Sequence, residues 1–148
     1  MSARSYLGWF GNFVAAIAPE GGTLMIKLVY CIRRRDDISE GEFHEYWLKQ
    51  HAAKVQDAAA KIGALRYVQS HICAPELNAM LVESRGLAPA YDGITEVWWD
   101  SANALMEKLG TSDGQAAMQM LIEDEATFID FSRSAVFMTT EHEISLPN

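Results

Sequence analysis

One stretch constrains this chain more than any other: Ser39 to Ile62, read S-E-G-E-F-H-E-Y-W-L-K-Q-H-A-A-K-V-Q-D-A-A-A-K-I. Ser39 with Glu42 three residues on is a capping-box pair, in which each side chain satisfies the other residue's backbone N–H. At 100° per residue, Phe43, Trp47, Leu48, Val55, Ala58, Ala59 and Ile62 share one broad apolar face, with Glu42, Glu45, Lys49 and Gln56 opposite. The alanines favour helix and Gly63 suits its end. The spacing predicts an amphipathic helix. Its apolar face also carries His51, with His44 two turns earlier on nearly the same line. A titratable ring there is either a satisfied core histidine or part of a pocket.

A length of 148 residues allows one domain with a real core. The net charge of -8 argues against nucleic acid or an anionic membrane surface as a partner. The charge is uneven: residues 92–148 hold 11 acidic side chains against only Lys108 and Arg133. Cys31 and Cys73 lie in strand-like runs without metal-type spacing, so both are expected to be reduced core residues and the compartment cytoplasmic. The leader, residues 1–24, holds an uncharged run from Leu7 to Ala18 behind Arg4, ending in the small-x-small form of a cleavage site. One basic residue, and Pro19 directly after the bond, weaken that reading. The run also falls short of the ~20 residues that cross a bilayer. A short appended helix with Leu7, Phe10, Val14 and Ile17 on one stripe is the favoured expectation, with the domain itself at residues 25–148. Met25 equally suits a domain start, and both readings are compatible with the residues.

Met25 to Arg33 is apolar on both parities, as expected for a strand covered on both sides. Arg33-Arg34-Arg35-Asp36-Asp37 then reads as a solvated turn. After the helix, Ala64 to Ala74 reads as a second strand that Pro75 stops, and Glu76 to Asp92 as a long surface connection with one short helical turn around Leu77 to Val82. Gly93 to Asp100 is the third strand, with Trp98 and Trp99 pointing to opposite faces. Ser101 caps a helix through Leu109. Another is expected from about Ser112 to Phe128, with Ala117, Met118, Leu121, Ile122 and Phe128 inward and Glu123, Asp124 and Glu125 outward. Arg133 to Ile144 closes the chain as a fourth strand. The order is β-α-β-β-α-β, an α+β, ferredoxin-like arrangement with a four-stranded antiparallel sheet and both helices on one face. The other face would carry large apolar side chains, for which a homodimer made by stacking two sheets is the simplest cover.

The strand M-I-K-L-V-Y-C-I-R-R-R, the S-x-x-E-F-H-x-Y-W-x-x-x-H helix, D-G-I-T-E-V-W-W-D-S and the closing E-D-E-A-T-F-I-D-F-S-R-S…T-E-H together resemble the EthD family, from Met25 to about His142. The resemblance implies membership of the dimeric α+β barrel superfamily, whose two sheets close into a barrel with a pocket in each subunit between sheet and helices. That superfamily hosts muconolactone isomerases, polyketide cyclases, metal-free quinol-forming monooxygenases, dehydratases and haem-degrading enzymes, and fold alone does not choose among them.

His51 is the first candidate catalytic residue. A neutral imidazole in a dry pocket is able to take a proton from a carbon alpha to a carbonyl, or to return one to a leaving hydroxyl. Trp47 would then form an aromatic wall, while Tyr46 or Tyr30 would donate to a developing enolate oxygen. His71 on the second strand and His142 at the end of the fourth are further catalytic candidates, the latter through its match to the closing T-E-H pattern. Tyr67 and Trp98 complete the expected substrate-binding set, and His44 is read as structural. A metal site is not expected: the histidines show no i,i+4 pair and no H-x-H string. No phosphate loop, dinucleotide fingerprint or nucleophile elbow occurs, and no cofactor is expected.

The expectation is a homodimeric protein holding a small hydrophobic molecule, aromatic or polyketide-like, and acting as a lyase, isomerase, cyclase or monooxygenase-type enzyme. The rival class is a non-catalytic accessory or ligand-carrier protein of an oxidative degradation pathway. Haem binding is a third reading.

Overall fold

The computed structural model describes residues 24–147. The expected leader helix, and the domain boundary after residue 24, lie outside that range or at its very edge.

Four strands form one antiparallel sheet: β1 (Ile26–Ile32), β2 (Arg66–His71), β3 (Gly93–Trp99) and β4 (Ala135–Thr139), in the spatial order β2-β3-β1-β4. β1 pairs with β3 and β4, and β2 pairs with β3, so every neighbouring pair runs antiparallel. The first crossover is a continuous helical rod of α1 (Glu40–Glu45), a π-helical turn (Tyr46–His51) and α2 (Ala52–Ile62). The second crossover is α4 (Ala102–Leu109) followed by α5 (Ser112–Glu125). This is the ferredoxin-like β-α-β-β-α-β arrangement of an α+β protein.

Local chemistry fixes the rod. The Ser39–Glu42 capping box is present: the Ser39 Oγ accepts from the Glu42 N–H at 3.2 Å, and the Ser39 N–H donates to the Glu42 carboxylate at 2.8 Å. Such a cap contributes about 1 kcal/mol. Gly63 ends the rod at φ 72°, a left-handed conformation that glycine adopts without a Cβ penalty. Between the two ends the helix widens. The Ala52 N–H bonds the Trp47 carbonyl five residues back, so faces after this point are rotated against a uniform 100° count. The first consequence is a correction: Leu48, expected on the apolar face, is 57% exposed.

Residues facing each other across the strands share a face. Tyr30, Thr95 and Val136 therefore point to the helices, as do Leu28, Val97 and Met138. Two buried clusters fill that side. Val55, Ala58 and Ile62 of α2 meet Val97, Trp99, Ala117 and Leu121. Phe43 and Trp47 meet Ile32, Phe128 and Ile129. His51 lies along the rod between Trp47 of one cluster and Val55 of the other, and Asp124 lies in the chain between Leu121 and Phe128, so both fall at the seam between the clusters.

Four further expectations need correcting. Asp124, expected outward, is buried at 6% exposure, and Glu125 beside it is half-buried. The long connection contains α3 (Pro75–Arg85), a full helix with Pro at its start and Gly86 at φ 63° after its end. The last strand is much shorter than expected. Asp130 folds Phe131–Arg133 into a 3-10 turn before it, and residues 140–147 leave the sheet. Cys73 is exposed just beyond β2 and Cys31 is half-buried on the outer face of the sheet; both are free thiols.

The outer face holds Val29, Cys31, Val68, Ile94 and Phe137 towards one end. Towards the other, Lys27 pairs with Glu96 at 2.8 Å and with Glu141 at 3.2 Å. Among the described residues, no helix is long and apolar enough to cross a membrane.

Candidate active site

His51 ends the π-helical turn and its ring is 4% exposed. Its Nδ1 lies 2.7 Å from Oδ2 of Asp124, which reaches it from α5. The other oxygen of Asp124 accepts from the Tyr46 hydroxyl at 2.5 Å and from the Lys54 ammonium, and Lys54 also donates to the Tyr46 oxygen at 3.1 Å. Phe128 closes the group, its ring 5.1 Å from that of His51 and 5.2 Å from that of Tyr46. One buried carboxylate thus organises three side chains from the first crossover.

The ionisation states follow from burial and charge. Burial raises the Asp124 carboxyl, but hydrogen bonds from Lys54, Tyr46 and His51 more than offset this, so it titrates below the usual carboxylate range. Burial pushes the His51 imidazole below its ordinary value; Asp124 pulls it back up, and the Lys54 charge pushes it down again. His51 is accordingly neutral at pH 7. With Nδ1–H donated to a carboxylate, the lone pair is on Nε2, which has no hydrogen-bond partner among the described residues. Glu125 behaves oppositely to its neighbour. Desolvation and the Asp124 charge push its carboxyl up to about 8, against a smaller opposing contribution from the Tyr30 hydroxyl. Tyr30 is itself raised, first by burial and then by Glu125.

A second group lies beyond Trp47. The indole is 1% exposed and stacks on His71 with ring centroids 4.4 Å apart at 22°. Its six-membered ring presses on Gly93, where a Cβ would come within 2.5 Å of it. Glycine is required there by close approach. His71 is tied at Nε2 to Oε1 of Gln69 at 2.9 Å, and Gln69 also donates to the Trp47 carbonyl and to the Tyr67 hydroxyl, each at 2.8 Å. His44 packs on His71 at 4.8 Å, and its buried ring nitrogens have no hydrogen-bond partner among the described residues.

The candidate residues therefore divide. His51, Tyr46 and Tyr30 gather around Asp124 and Glu125, while Trp47, Tyr67 and His71 form the adjoining aromatic and amide layer on the same side of the sheet. His142 and Trp98 are on the other side. His142 lines a groove of about 470 Å³ with Lys27, Thr139 and Glu141 on the outer face. Trp98 is covered by Lys27 and Arg66, at 5.3 and 4.5 Å from its ring, and donates its indole N–H to Glu141 at 2.6 Å. Trp99 points inward, donating to the Ile62 carbonyl at 2.9 Å. Sequence reasoning missed Asp124, Lys54 and Glu125. The signal for Asp124 was present: it follows Ala117 by seven residues and Leu121 by three, the period of the buried face of α5.

Fold and site define a ferredoxin-like α+β protein with a buried His–Asp pair between sheet and helices. The EthD domain matches residues 35–132, well over half of the sequence, and the chain belongs to that family. Among solved structures it is similar to an ethyl tert-butyl ether d (EthD) family protein from Bacillus halodurans, with 18% identity over 80% of this chain and 100% of that one, TM-score 0.53. A dimeric ferredoxin-like protein from Thermobifida fusca shows 13% identity over 84% of this chain and 97% of its own, TM-score 0.51. A dimeric ferredoxin-like protein from Bacteroides fragilis shows 13% over 79% and 96%, TM-score 0.50. At these identities the likeness is one of fold. No curated protein matches the sequence.

Proposed function

We propose that the protein binds a small apolar molecule, aromatic or polyketide-like, and moves a proton on it with His51 as general base and acid. The observation that carries this reading is the 2.7 Å contact between His51 Nδ1 and the buried, ionised Asp124. A carboxylate on Nδ1–H fixes the tautomer and favours the imidazolium that forms when Nε2 takes a proton. Abstraction next to a carbonyl, followed by return of the proton to another carbon or to a leaving hydroxyl, makes the chemistry isomerisation, cyclisation or dehydration. Oxygenation of an electron-rich substrate begins with the same deprotonation. The protonated Glu125 carboxyl and the Tyr30 hydroxyl would serve as donors to the oxygen that gains charge. Phe128 and Trp47 supply apolar walls that suit a flat ligand.

The working unit in this reading is a homodimer. The outer sheet face exposes Phe137 at 51% beside Val29, Cys31, Val68 and Ile94, and two of the structurally similar proteins are dimers. Stacking the sheets would cover that face and form the barrel.

A thermal-shift panel of aromatic, quinone and lactone compounds tests the binding claim on wild type, His51→Asn and Asp124→Asn. The expected result is ligands that raise the wild-type Tm by several degrees and lose most of that effect in the folded variants, with turnover or solvent deuterium exchange of the bound compound in wild type only. Stabilisation that survives in both variants, without exchange or turnover, favours a ligand carrier and removes the catalytic role.

A further inference from the structure

We propose that Lys54 is the positioning residue that keeps His51 an uncharged base: by neutralising Asp124 from the solvent side, it prevents the buried carboxylate from turning the imidazole into an imidazolium. The proposal rests on the reading of His51 as the base.

Asp124 is a single buried negative charge with two side chains able to balance it. His51 approaches Oδ2, and Lys54 approaches Oδ1 together with Tyr46. The two differ in what charging them costs. The His51 side chain is 5% exposed, so an imidazolium there loses nearly all its hydration. The Lys54 side chain is 42% exposed, and its ammonium keeps water on one side while touching the carboxylate on the other. Lys54 is therefore the less costly cation. It lies three residues after His51, on the first turn of α2, with its ammonium 5.6 Å from the centre of the Tyr46 ring.

The other groups facing the pair do not supply a replacement charge. Tyr46, from the π-helical turn, contributes a hydroxyl donor. Glu125, next along α5, is held uncharged, and Tyr30 on β1 is a neutral partner to it. Phe128 and Trp47 are apolar. Removing the Lys54 ammonium leaves Asp124, among the described residues, with His51 as its only nearby group able to carry a positive charge. The imidazole then binds a solvent proton at Nε2, forming the N–H bond that would otherwise be made with a substrate proton. The base is lost without any change in the catalytic residue itself.

The test is an NMR titration of the His51 ring in the full chain, comparing wild type with Lys54→Met, Lys54→Gln, Lys54→Arg and Tyr46→Phe. In the Met and Gln variants the His51 midpoint should rise by roughly one pH unit, the size expected when one close charge is removed. Arginine keeps the charge and should restore a near wild-type midpoint. Tyr46→Phe should move it less than Lys54→Met. A midpoint that is unchanged or lower in folded Met and Gln variants overturns the proposal. The two readings fail separately. Ligand binding with an immobile midpoint removes the lysine role alone; a shifted midpoint without ligand binding leaves the lysine role and removes the catalytic one.

Discussion

Asp124 and Glu125 are neighbours in the chain, yet their environments drive them to opposite ionisation states. Asp124 meets two nitrogens and a phenol, so its charge is stabilised; burial and the charge of Asp124 oppose a charge on Glu125 by more than the Tyr30 hydroxyl offsets. The pH dependence follows with a definite sign. The Glu125 carboxyl rises from an ordinary 4.5 to about 8, so the folded state holds a proton that the unfolded state releases. Its contribution is complete below pH 4.5 and is lost as pH rises towards 8 and beyond. Glu125→Gln retains the neutral shape, and its stability relative to wild type should increase from pH 5 to pH 9, read by denaturant titration at several pH values. A difference that stays flat across that range would show that Glu125 is not held protonated. At this scale the sequence was only partly legible. His51 stood out because a titratable ring among Phe43, Trp47 and Val55 breaks an apolar pattern. Asp124 did not, because it sits inside Glu123-Asp124-Glu125 and an acidic run reads as a solvated face until its partner on another helix is known.

The elements were legible where local chemistry and hydrophobic period agree. The capping box, Gly63 and the alternating strands each point to one structure, and the β-α-β-β-α-β order follows from them. Two elements were not. α3 has no buried residue, and Leu77, Met80 and Leu81 on it are all more than 40% exposed. Its signal lay in its ends, Pro75 and Gly86, which set φ at the first position and release it after the last. The π-helical turn was invisible to a uniform angular count. The Ala52-to-Trp47 bond inserts one extra residue, which turns Leu48 out to solvent. In the same segment Trp47, Tyr46 and His51 face inward, and such a widened turn is common where side chains must be re-aimed at a functional site.

At the scale of the whole molecule, the sheet separates two chemistries. The helix side holds the His51–Asp124 group and the Trp47–His71 layer. The outer side pairs an apolar patch with the Lys27, Glu96 and Glu141 charges, a mixture that favours one register when two copies stack. Wild type is expected to sediment at twice the chain mass at micromolar concentration. Phe137→Glu, an exposed change on an edge strand, is expected to sediment as a folded monomer. A monomeric wild type would remove the barrel from this picture while leaving the buried pair in place. The ¹⁵N chemical shifts of the His51 ring at pH 7 report on that pair itself. A protonated Nδ1 with a bare Nε2 is the expected result, since it places the lone pair opposite the carboxylate. A ring protonated on Nε2 alone, or on both nitrogens, would contradict it, because Nε2 would then carry no lone pair with which to act as a base.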